Sequence, residues 1–339
     1  MIIVLKPKTP EEQIQEVANA VKKFGYEPRL IRGVELTVIA CVGDERRHHT
    51  LETLTVLPQV ENVVAIQKRY KLVSRDFHKG DSTVKVGGVG IGPASFHVIA
   101  GPCSVESERQ TLDTARAVKA AGATLLRGGA FKPRTSPYDF EGLGKAGLRI
   151  LKKARQETGL PIVTEVVSPQ DVEEVAGFAD MLQIGTRNAQ NYALLHAAGQ
   201  SRVPVFLKRG MASTVEEWLN AAEHIAAQGN SQIILCERGI RTFEHATRFT
   251  LDLNAVAVAK KETHLPVFVD PSHGVGRSDL VPALARAAVA VGCDGLMIEV
   301  HGDPKRALSD GAQQLTPAVF GEMMTMLRPF AELMGRTME

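Results

Sequence analysis

The sequence predicts an α/β protein, a (β/α)8 TIM barrel preceded by a small ferredoxin-like α+β domain and a β-hairpin. Eight short apolar segments recur between residues 96 and 300, and most of the segments between them have the periodicity of amphipathic helices. The first 70 residues alternate more quickly, in a β-α-β-β-α-β order. The length of 339 residues fits one barrel of about 250 residues and a remainder of about 90.

The first domain is expected over residues 1–70. Residues 2–6 are apolar enough for a strand, and residues 10–24 place apolar side chains on one helix face before Gly25 ends the helix. The remaining elements of the pattern are strands over 29–31, 36–42 and 60–68 and a short helix over 50–57 that Pro58 stops.

Residues 71–95 are expected to form a linker and a β-hairpin. The chain is polar between Tyr70 and Ser82, which is typical of a linker. Gly87 and Gly88 then separate two short β-rich runs, and paired glycines supply the positive φ that a tight hairpin turn requires.

The barrel is expected over residues 96–339. Its clearest helices are predicted over 109–121 and 214–228, and its eight strands over 96–100, 123–127, 161–167, 181–184, 204–208, 232–237, 266–270 and 295–300. An open doubly wound sheet is the structural alternative. No Gly-x-Gly-x-x-Gly motif follows the first of these strands, which weakens a dinucleotide-binding interpretation.

Composition excludes several classes of protein. Hydrophobic residues make up 44% and charged residues 23%, which is typical of a globular protein and not of a disordered chain. The 40 Lys and Arg nearly balance the 38 Asp and Glu, so no global field favours nucleic acid or an anionic membrane. We find no apolar run of about 18 residues and no signal peptide. Four widely spaced cysteines do not suggest a disulfide framework, so we expect a reduced, cytoplasmic enzyme.

Cationic side chains gather at the predicted carboxyl ends of the strands, where barrels place their catalytic groups. They are Arg127, Lys132, Arg134, Arg187, Lys208 and Arg238. Each one by itself is explained equally well by an ion pair with a helix carboxylate on the rim. Six like charges at one end of a barrel repel one another unless anions offset them. The set therefore predicts a phosphorylated, polyanionic substrate and leaves open whether one phosphate or two are bound.

A mixed set of metal-ligand types lies at three neighbouring strand ends. Cys103, His273 and Glu299 end strands one, seven and eight, and Asp310 follows strand eight. One thiolate, one imidazole and two carboxylates suit Mn, Fe, Co or Zn better than Mg or Ca. A structural zinc site would favour a closed Cys/His set, so this set indicates a catalytic metal.

The other histidine and cysteine candidates are weaker. Taken alone, Cys103 is interpreted as a small buried apolar residue and His273 as a hydrogen-bonded loop histidine, and only their common location favours ligation. His301 lies beyond Glu299 and is the weaker ligand candidate. Cys236 and Cys293 are expected to serve packing.

Five motifs at these strand ends resemble one enzyme family. The motifs are GPCS at 101–104, LRGGAFKPRTS at 126–136, LKRG at 207–210, CERG at 236–239 and DPSH at 270–273. Together they resemble 3-deoxy-D-arabino-heptulosonate 7-phosphate (DAHP) synthase, of the short class that shares its barrel with 3-deoxy-D-manno-octulosonate 8-phosphate (KDO8P) synthase. The resemblance is strong over residues 83–335 and lies at the level of fold pattern over residues 1–70.

The resemblance implies a transferase, 3-deoxy-7-phosphoheptulonate synthase, that makes a carbon–carbon bond. This family condenses phosphoenolpyruvate with erythrose 4-phosphate and releases phosphate, as the first step of the shikimate pathway to aromatic amino acids. The motifs assign phosphoenolpyruvate to Arg127, Lys132, Arg187, Lys208 and Arg238, the aldose phosphate to Arg134 and Thr135, and one divalent transition metal ion to Cys103, His273, Glu299 and Asp310. As a hypothesis, Glu165 orients or deprotonates the attacking water, and Lys132 donates a proton to the new alkoxide.

Two alternative functions remain. KDO8P synthase uses arabinose 5-phosphate and typically has Lys-Ala-Asn-Arg-Thr-Ser in this loop. Here the loop from Lys132 to Ser136 is one residue shorter and lacks the asparagine, which favours the four-carbon aldose. A non-catalytic phosphate-binding barrel would have lost ligand or anion-binding residues, whereas every matched position is present.

The N-terminal domain resembles the ACT-like regulatory domain that binds Tyr or Phe in some relatives. Its strand-rich pattern disfavours the all-helical chorismate mutase that other relatives carry. The stretch from Arg29 to Gly33 lacks the small polar donors of some inhibited relatives, so the identity of the effector stays open, and an oligomerisation or solubility cap is the alternative role. The resemblance implies a homotetramer, although the sequence does not distinguish a tetramer from a dimer.

Overall fold

A computed structural model describes residues 1–32, 37–43, 49–64, 69–133, 136 and 138–338. The chain divides into two compact units, Met1–Arg69 and Tyr70–Glu339. Among the described residues, no helix has both the length and the apolar character needed to cross a membrane.

The elements of the first unit are β1 (Ile2–Leu5), α1 (Glu11–Lys23), β2 (Glu27–Arg32), β3 (Thr37–Val42), α2 (His49–Glu52) and β4 (Val60–Val64). The four strands form an antiparallel sheet in the order β2-β3-β1-β4, which confirms the ferredoxin-like expectation. Helix α1 buries Ile14, Val17 and Val21 in the same apolar cluster as Ile3 and Ile39 of the sheet.

The short helix predicted over residues 50–57 is present over His49–Val56 and changes type along its length. Helix α2 ends at Glu52, and a 3-10 turn follows from Thr53 to Val56. Three β-branched residues, Thr53, Thr55 and Val56, disfavour further α-helix, and short 3-10 turns accommodate such a segment. The expected strand residues 36 and 65–68 lie outside the described residues.

The β-hairpin consists of β5 (Val84–Val86) and β6 (Val89–Ile91). Gly87 and Gly88 have φ of +51° and +91°, which confirms why this turn needs two glycines. The polar segment before it is held along the barrel, because the Glu223 carboxylate accepts hydrogen bonds from the Leu72 and Val73 amides.

Eight parallel strands close into the predicted barrel in chain order, with β14 hydrogen-bonded to β7. The strands are β7 (His97–Gly101), β8 (Leu125–Arg127), β9 (Ile162–Val166), β10 (Met181–Ile184), β11 (Val205–Lys208), β12 (Ile233–Glu237), β13 (Val267–Val269) and β14 (Gly295–Glu299). The surrounding helices are α3 (Glu108–Ala120), α4 (Lys145–Thr158), α5 (Val172–Ala176), α6 (Tyr192–Gln200), α7 (Val215–Ala226), α8 (Leu253–Glu262), α9 (Pro271–Val275), α10 (Val281–Ala290) and α11 (Pro317–Leu333).

Strand periodicity places the polar side chains at one end of the barrel. An apolar layer fills the interior together with the hairpin, and it comprises Ile99, Leu125, Val163, Met181, Phe206, Ile234, Cys236, Phe268 and Met297. Because strand side chains alternate, the residue two positions after each member points inward as well. Apart from Gly101 and Cys236, those positions hold polar or charged residues: Arg127, Glu165, Gln183, Lys208, Arg238, Asp270 and Glu299. We call this charged layer, at the carboxyl ends of the strands, the upper end of the barrel.

Candidate active site

The upper end contains a cavity of about 200 Å³ with a predominantly charged lining. Five of the six cations expected from the sequence line it: Arg127, Lys132, Arg187, Lys208 and Arg238. Glu165, His273 and Asp310 line it as well. Arg134 and Thr135, the expected contacts of the aldose phosphate, lie outside the described residues.

The four expected metal ligands meet beside this cavity. One donor atom from each of Cys103, His273, Glu299 and Asp310 lies within 4.8 Å of every other. Bonds of about 2.0–2.3 Å to one ion would bring such atoms to within roughly 4.6 Å of each other. The spacing and the mixture of thiol, imidazole and carboxylate donors therefore fit a divalent transition metal.

Burial and charge determine the protonation of these ligands. Burial raises the pKa of the Cys103 thiol to about 11, with a further contribution from the Glu299 carboxylate. Burial also opposes ionisation of Asp310, but His273 and Arg248 outweigh it and hold the pKa of Asp310 at about 2. A cation bound here would displace the thiol proton, as metal binding to cysteine generally does.

His273 is oriented by Asp270, a residue absent from the expected site. His273 Nδ1 lies 2.7 Å from Asp270 Oδ2, and since a carboxylate only accepts, Nδ1 is the protonated nitrogen. The other ring nitrogen, Nε2, lies 3.3 Å from Glu299 Oε1 and faces the ligand cluster. This tautomer leaves Nε2 available to a metal.

Two of the cations pair with buried carboxylates. Arg127 forms an ion pair with Glu299 and donates to the Cys103 carbonyl over 3.3 Å, and Lys208 Nζ lies 2.6 Å from Asp270 Oδ2. The alternative that each cation has a carboxylate partner thus holds for these two, although the partners are inside the barrel and not on its rim.

Two arginines keep an unpaired nitrogen. Among the described residues, the buried side-chain nitrogens or oxygens without a hydrogen-bond partner are Nε of Arg127 and Nε of Arg238. Arg238 is 4% exposed, its guanidinium lies 4.0 Å from the centre of the Phe249 ring, and burial lowers its pKa. Both arginines also line the cavity, and their guanidinium groups, together with the other cations there, indicate a place for an anion.

Lys132, in the loop after β8, and Glu165, on β9, both line the cavity. Lys132 Nζ lies 3.1 Å from Cys103 Sγ. Burial opposes its charge, but the neighbouring Cys103, Glu299 and Glu165 outweigh it and raise the pKa of Lys132. Glu165 Oε2 accepts a hydrogen bond of 3.1 Å from Gln183. A Cβ on Gly185 would lie 1.9 Å from Glu165 Oε1, so the glycine makes room for this carboxylate.

Sequence reasoning missed three residues of the site: Asp270, Gln183 and Arg248. The first two had a signal, because each lies two positions after an inward apolar residue, Phe268 or Met181. Arg248 lies in an irregular loop without periodicity, and its Nη1 is 3.3 Å from Asp310 Oδ1.

The weaker candidates lie outside the ligand cluster. His301 Nε2 lies 3.3 Å from Glu106 Oε2, and its Nδ1 accepts from the Asp303 amide. Cys236 is part of the interior apolar layer, and Cys293 belongs to the outer core of the barrel. All four cysteines are free and buried.

Comparison with known proteins gives a consistent result over both units. The model of the DAHP synthetase I family matches residues 77–334, and that of the DAHP synthase ferredoxin-like domain matches residues 1–68. Phospho-2-dehydro-3-deoxyheptonate aldolase of Thermotoga maritima is 49% identical over 99% of this chain and 99% of its own length. A 2-dehydro-3-deoxyphosphooctonate aldolase of Syntrophotalea carbinolica is 41% identical over 64% of this chain and 84% of its own.

Solved structures agree. The crystal structure of the Thermotoga maritima DAHP synthase matches with a TM-score of 0.89 and 48% identity, covering 99% of this chain and 98% of that one. A truncated form of that synthase matches with a TM-score of 0.74 over 79% of this chain and 98% of its own. With family models over both units and a full-length relative at this identity, the chain belongs to the DAHP synthase family.

Proposed function

We propose that the protein is a DAHP synthase that condenses phosphoenolpyruvate with erythrose 4-phosphate to give DAHP and phosphate. This is the first step of the shikimate pathway to aromatic amino acids. The observation that carries the proposal is the meeting of four metal-ligand side chains and five cations at one cavity. The full-length similarity to a phospho-2-dehydro-3-deoxyheptonate aldolase supports it, since the matched 2-dehydro-3-deoxyphosphooctonate aldolase covers only 64% of this chain.

Phosphoenolpyruvate binds to Arg127, Lys132, Arg187, Lys208 and Arg238 in this proposal. Its phosphate and carboxylate supply acceptors for the guanidinium groups of Arg127 and Arg238, which line the cavity. Charge-assisted hydrogen bonds of this kind are stronger than neutral ones, especially where water is excluded. Arg134 and Thr135 hold the phosphate of erythrose 4-phosphate.

Cys103, His273, Glu299 and Asp310 hold one divalent transition metal ion, which is Mn, Fe, Co or Zn. When bound, such an ion supplies Lewis acidity toward the aldehyde oxygen of erythrose 4-phosphate. The residues fit it because Asp270 sets the tautomer of His273 and because both carboxylates have a lowered pKa.

The chain's own groups account for the proton and water movements. C3 of phosphoenolpyruvate bonds to the aldehyde carbon while water adds at C2, and the resulting hemiketal phosphate expels inorganic phosphate. Lys132 donates a proton to the new alkoxide, which its raised pKa allows because it stays protonated at neutral pH. Glu165, fixed by Gln183, orients or deprotonates the water.

A substrate comparison tests the proposal. The measurement is phosphoenolpyruvate loss and phosphate release with erythrose 4-phosphate or with arabinose 5-phosphate, each with and without a chelator. We expect turnover with erythrose 4-phosphate that the chelator abolishes and divalent Mn or Co restores. Turnover with arabinose 5-phosphate alone would identify the protein as a KDO8P synthase instead, and no turnover with either would favour a non-catalytic barrel.

We further propose that residues 1–70 form a domain that responds to Tyr or Phe, and that the enzyme is a homotetramer. The match to the DAHP synthase ferredoxin-like domain supports the first part. Inhibition by each amino acid is compared between the full chain and a deletion of residues 1–69, which keeps the contacts of Tyr70, Leu72 and Val73. Equal inhibition of both forms would contradict regulation through this domain. Light scattering of the full chain measures the assembly, and a dimer would contradict the tetramer.

A further inference from the structure

Asp270 is a buried carboxylate shared between two functional groups. It is 0% exposed and follows strand β13 directly. Its Oδ2 atom lies 2.6 Å from Lys208 Nζ and 2.7 Å from His273 Nδ1, while Oδ1 accepts from the His273 amide over 2.9 Å. The two donors converge so closely that Lys208 Nζ and His273 Nδ1 are 3.5 Å apart.

Sharing one oxygen makes the two donors compete for its charge. A cation on His273 Nε2 draws electron density from the ring and makes Nδ1–H a stronger donor. Asp270 Oδ2 is then bound more strongly by His273 and neutralises Lys208 less. The ammonium of Lys208 is correspondingly more available to an anionic substrate group.

We propose that Asp270 is a positioning residue that couples metal binding at His273 to phosphoenolpyruvate binding at Lys208 through this single oxygen. The inference rests on the proposed function, because it takes His273 as a metal ligand and Lys208 as a contact of phosphoenolpyruvate. Coupling between two binding sites is reciprocal, so phosphoenolpyruvate also raises the affinity for the metal.

A second buried carboxylate provides a matched control. Asp294 is 1% exposed and comes just before strand β14, at the amino ends of the barrel strands. It accepts from Lys260 Nζ over 2.9 and 2.8 Å and from the Val267 amide over 2.6 Å. It therefore has a lysine partner and a backbone partner as Asp270 does, but no contact with the cavity.

Equilibrium titrations without erythrose 4-phosphate test the coupling. Co²⁺ is titrated into metal-free protein and followed by the thiolate–cobalt absorbance of Cys103, for wild type, Asp270→Asn, Lys208→Met and the double variant. We expect Asp270→Asn to raise the Kd for Co²⁺ about 10–100-fold. Lys208→Met should lower this Kd about fivefold where Asp270 is present and leave it unchanged where Asn replaces it.

Phosphoenolpyruvate titrations complete the cycle. Co²⁺ should lower the Kd for phosphoenolpyruvate in wild type, and this factor should shrink in Asp270→Asn. The proposal would be overturned if Co²⁺ lowered the Kd for phosphoenolpyruvate by the same factor in Asp270→Asn as in wild type. It would also be overturned if Lys208→Met changed the Kd for Co²⁺ equally in wild type and in Asp270→Asn, because the coupling would then act directly through space. If Asp270→Asn does not fold, the Kd for Co²⁺ is measured in Lys208→Met only. A value equal to that of wild type then overturns the proposal.

The control separates coupling from general loss of a buried ion pair. Asp294→Asn should lower Tm and leave the Kd for Co²⁺ as in wild type. A Co²⁺ Kd raised as much as in Asp270→Asn would overturn the proposal. Because no titration includes erythrose 4-phosphate, a wild type that binds both ligands with the expected coupling yet forms no DAHP would refute only the proposed function.

Discussion

The charged groups at the two ends of the barrel differ in how completely they are paired within the folded chain. At the lower end, where the strands begin, Asp294 binds Lys260 and Arg336, and Asp180 binds Arg155. Both carboxylates also accept a strand amide, from Val267 and Ile162. At the upper end, Arg127 pairs with Glu299 and Lys208 with Asp270, but among the described residues Arg127 and Arg238 each also have a buried Nε without a hydrogen-bond partner.

The difference distinguishes paired charged groups, which stabilise the fold, from charged groups at the cavity, which are available to a ligand. The partners of a buried charged group offset part of its desolvation cost within the folded chain, whereas a buried donor without a partner leaves that cost uncompensated. The apolar layer lies between the two ends, and the hairpin packs against it. Variants at the upper end should therefore affect mainly activity, and variants in the apolar layer should affect mainly stability.

Cys103→Ala removes the sulfur donor of the proposed metal site, whose other described donors are His273, Glu299 and Asp310. We expect turnover to fall by about 10³-fold or more, because Lewis-acid activation contributes several kcal/mol, while Tm changes little. Steady-state kinetics with added Mn²⁺ and circular dichroism measure the two effects. Cys293→Ala, a buried cysteine of the outer core, is the control and should keep wild-type turnover. Full activity of Cys103→Ala after removal of metal would disprove the metal role.

Ile91→Ala weakens the apolar layer. Ile91 is 0% exposed, and removing such a side chain lowers the free energy of unfolding by about 2–5 kcal/mol. Urea denaturation measures the loss, and the Kd for Co²⁺ should stay as in wild type. Val258→Ala, on an exposed position of α8, should change stability little. A large change in the Kd for Co²⁺ with an unchanged free energy of unfolding would contradict this separation between the upper end and the apolar layer.

Gly185→Ala should displace the Glu165 carboxylate at the upper end. The new Cβ would lie 1.9 Å from Glu165 Oε1, so the carboxylate must move out of place. We expect kcat to fall about 10–100-fold, part of what a general base contributes, with Tm nearly unchanged. Gly302→Ala is the control because a Cβ there meets no atom within 4 Å. Wild-type kcat in Gly185→Ala would argue against a role for Glu165.

The smallest expected effect is a pH dependence of stability that arises at His264, which does not line the cavity. Burial, reinforced by His78 and Arg75, lowers the pKa of His264, whose ring bonds Ser82 and the Leu72 carbonyl. The folded chain thus binds this proton less readily than the unfolded chain does, so stability is lost as pH falls through the ordinary histidine pKa of about 6.5.

Urea denaturation between pH 7.5 and pH 5.5 checks the sign. Stability should fall toward pH 5.5, and His264→Gln should reduce this dependence. His245→Gln, at an exposed loop position, should leave it unchanged. An identical pH dependence in wild type and His264→Gln would show that other groups are responsible.

Much of the fold and the ligand set could be predicted from periodicity and composition. The eight apolar runs predicted every barrel strand, with the observed ends within about three residues, as expected for pattern reasoning. Closure of the barrel then made strands one, seven and eight neighbours, which brought Cys103, His273 and Glu299 together. The short helix predicted over residues 50–57 is present too, but the pattern did not predict that it becomes a 3-10 turn after Glu52.

By itself the sequence determined which residue types stand at the carboxyl end of each strand, because a two-residue period extends the inward apolar positions to the next inward side chain. Only the tertiary structure decided which of those side chains pair with each other. Arg127 binds Glu299 across 172 residues and Lys208 binds Asp270 across 62, and Arg248 reaches Asp310 from an irregular loop. Such pairings depend on side-chain positions in three dimensions after the barrel closes, and no local pattern encodes them.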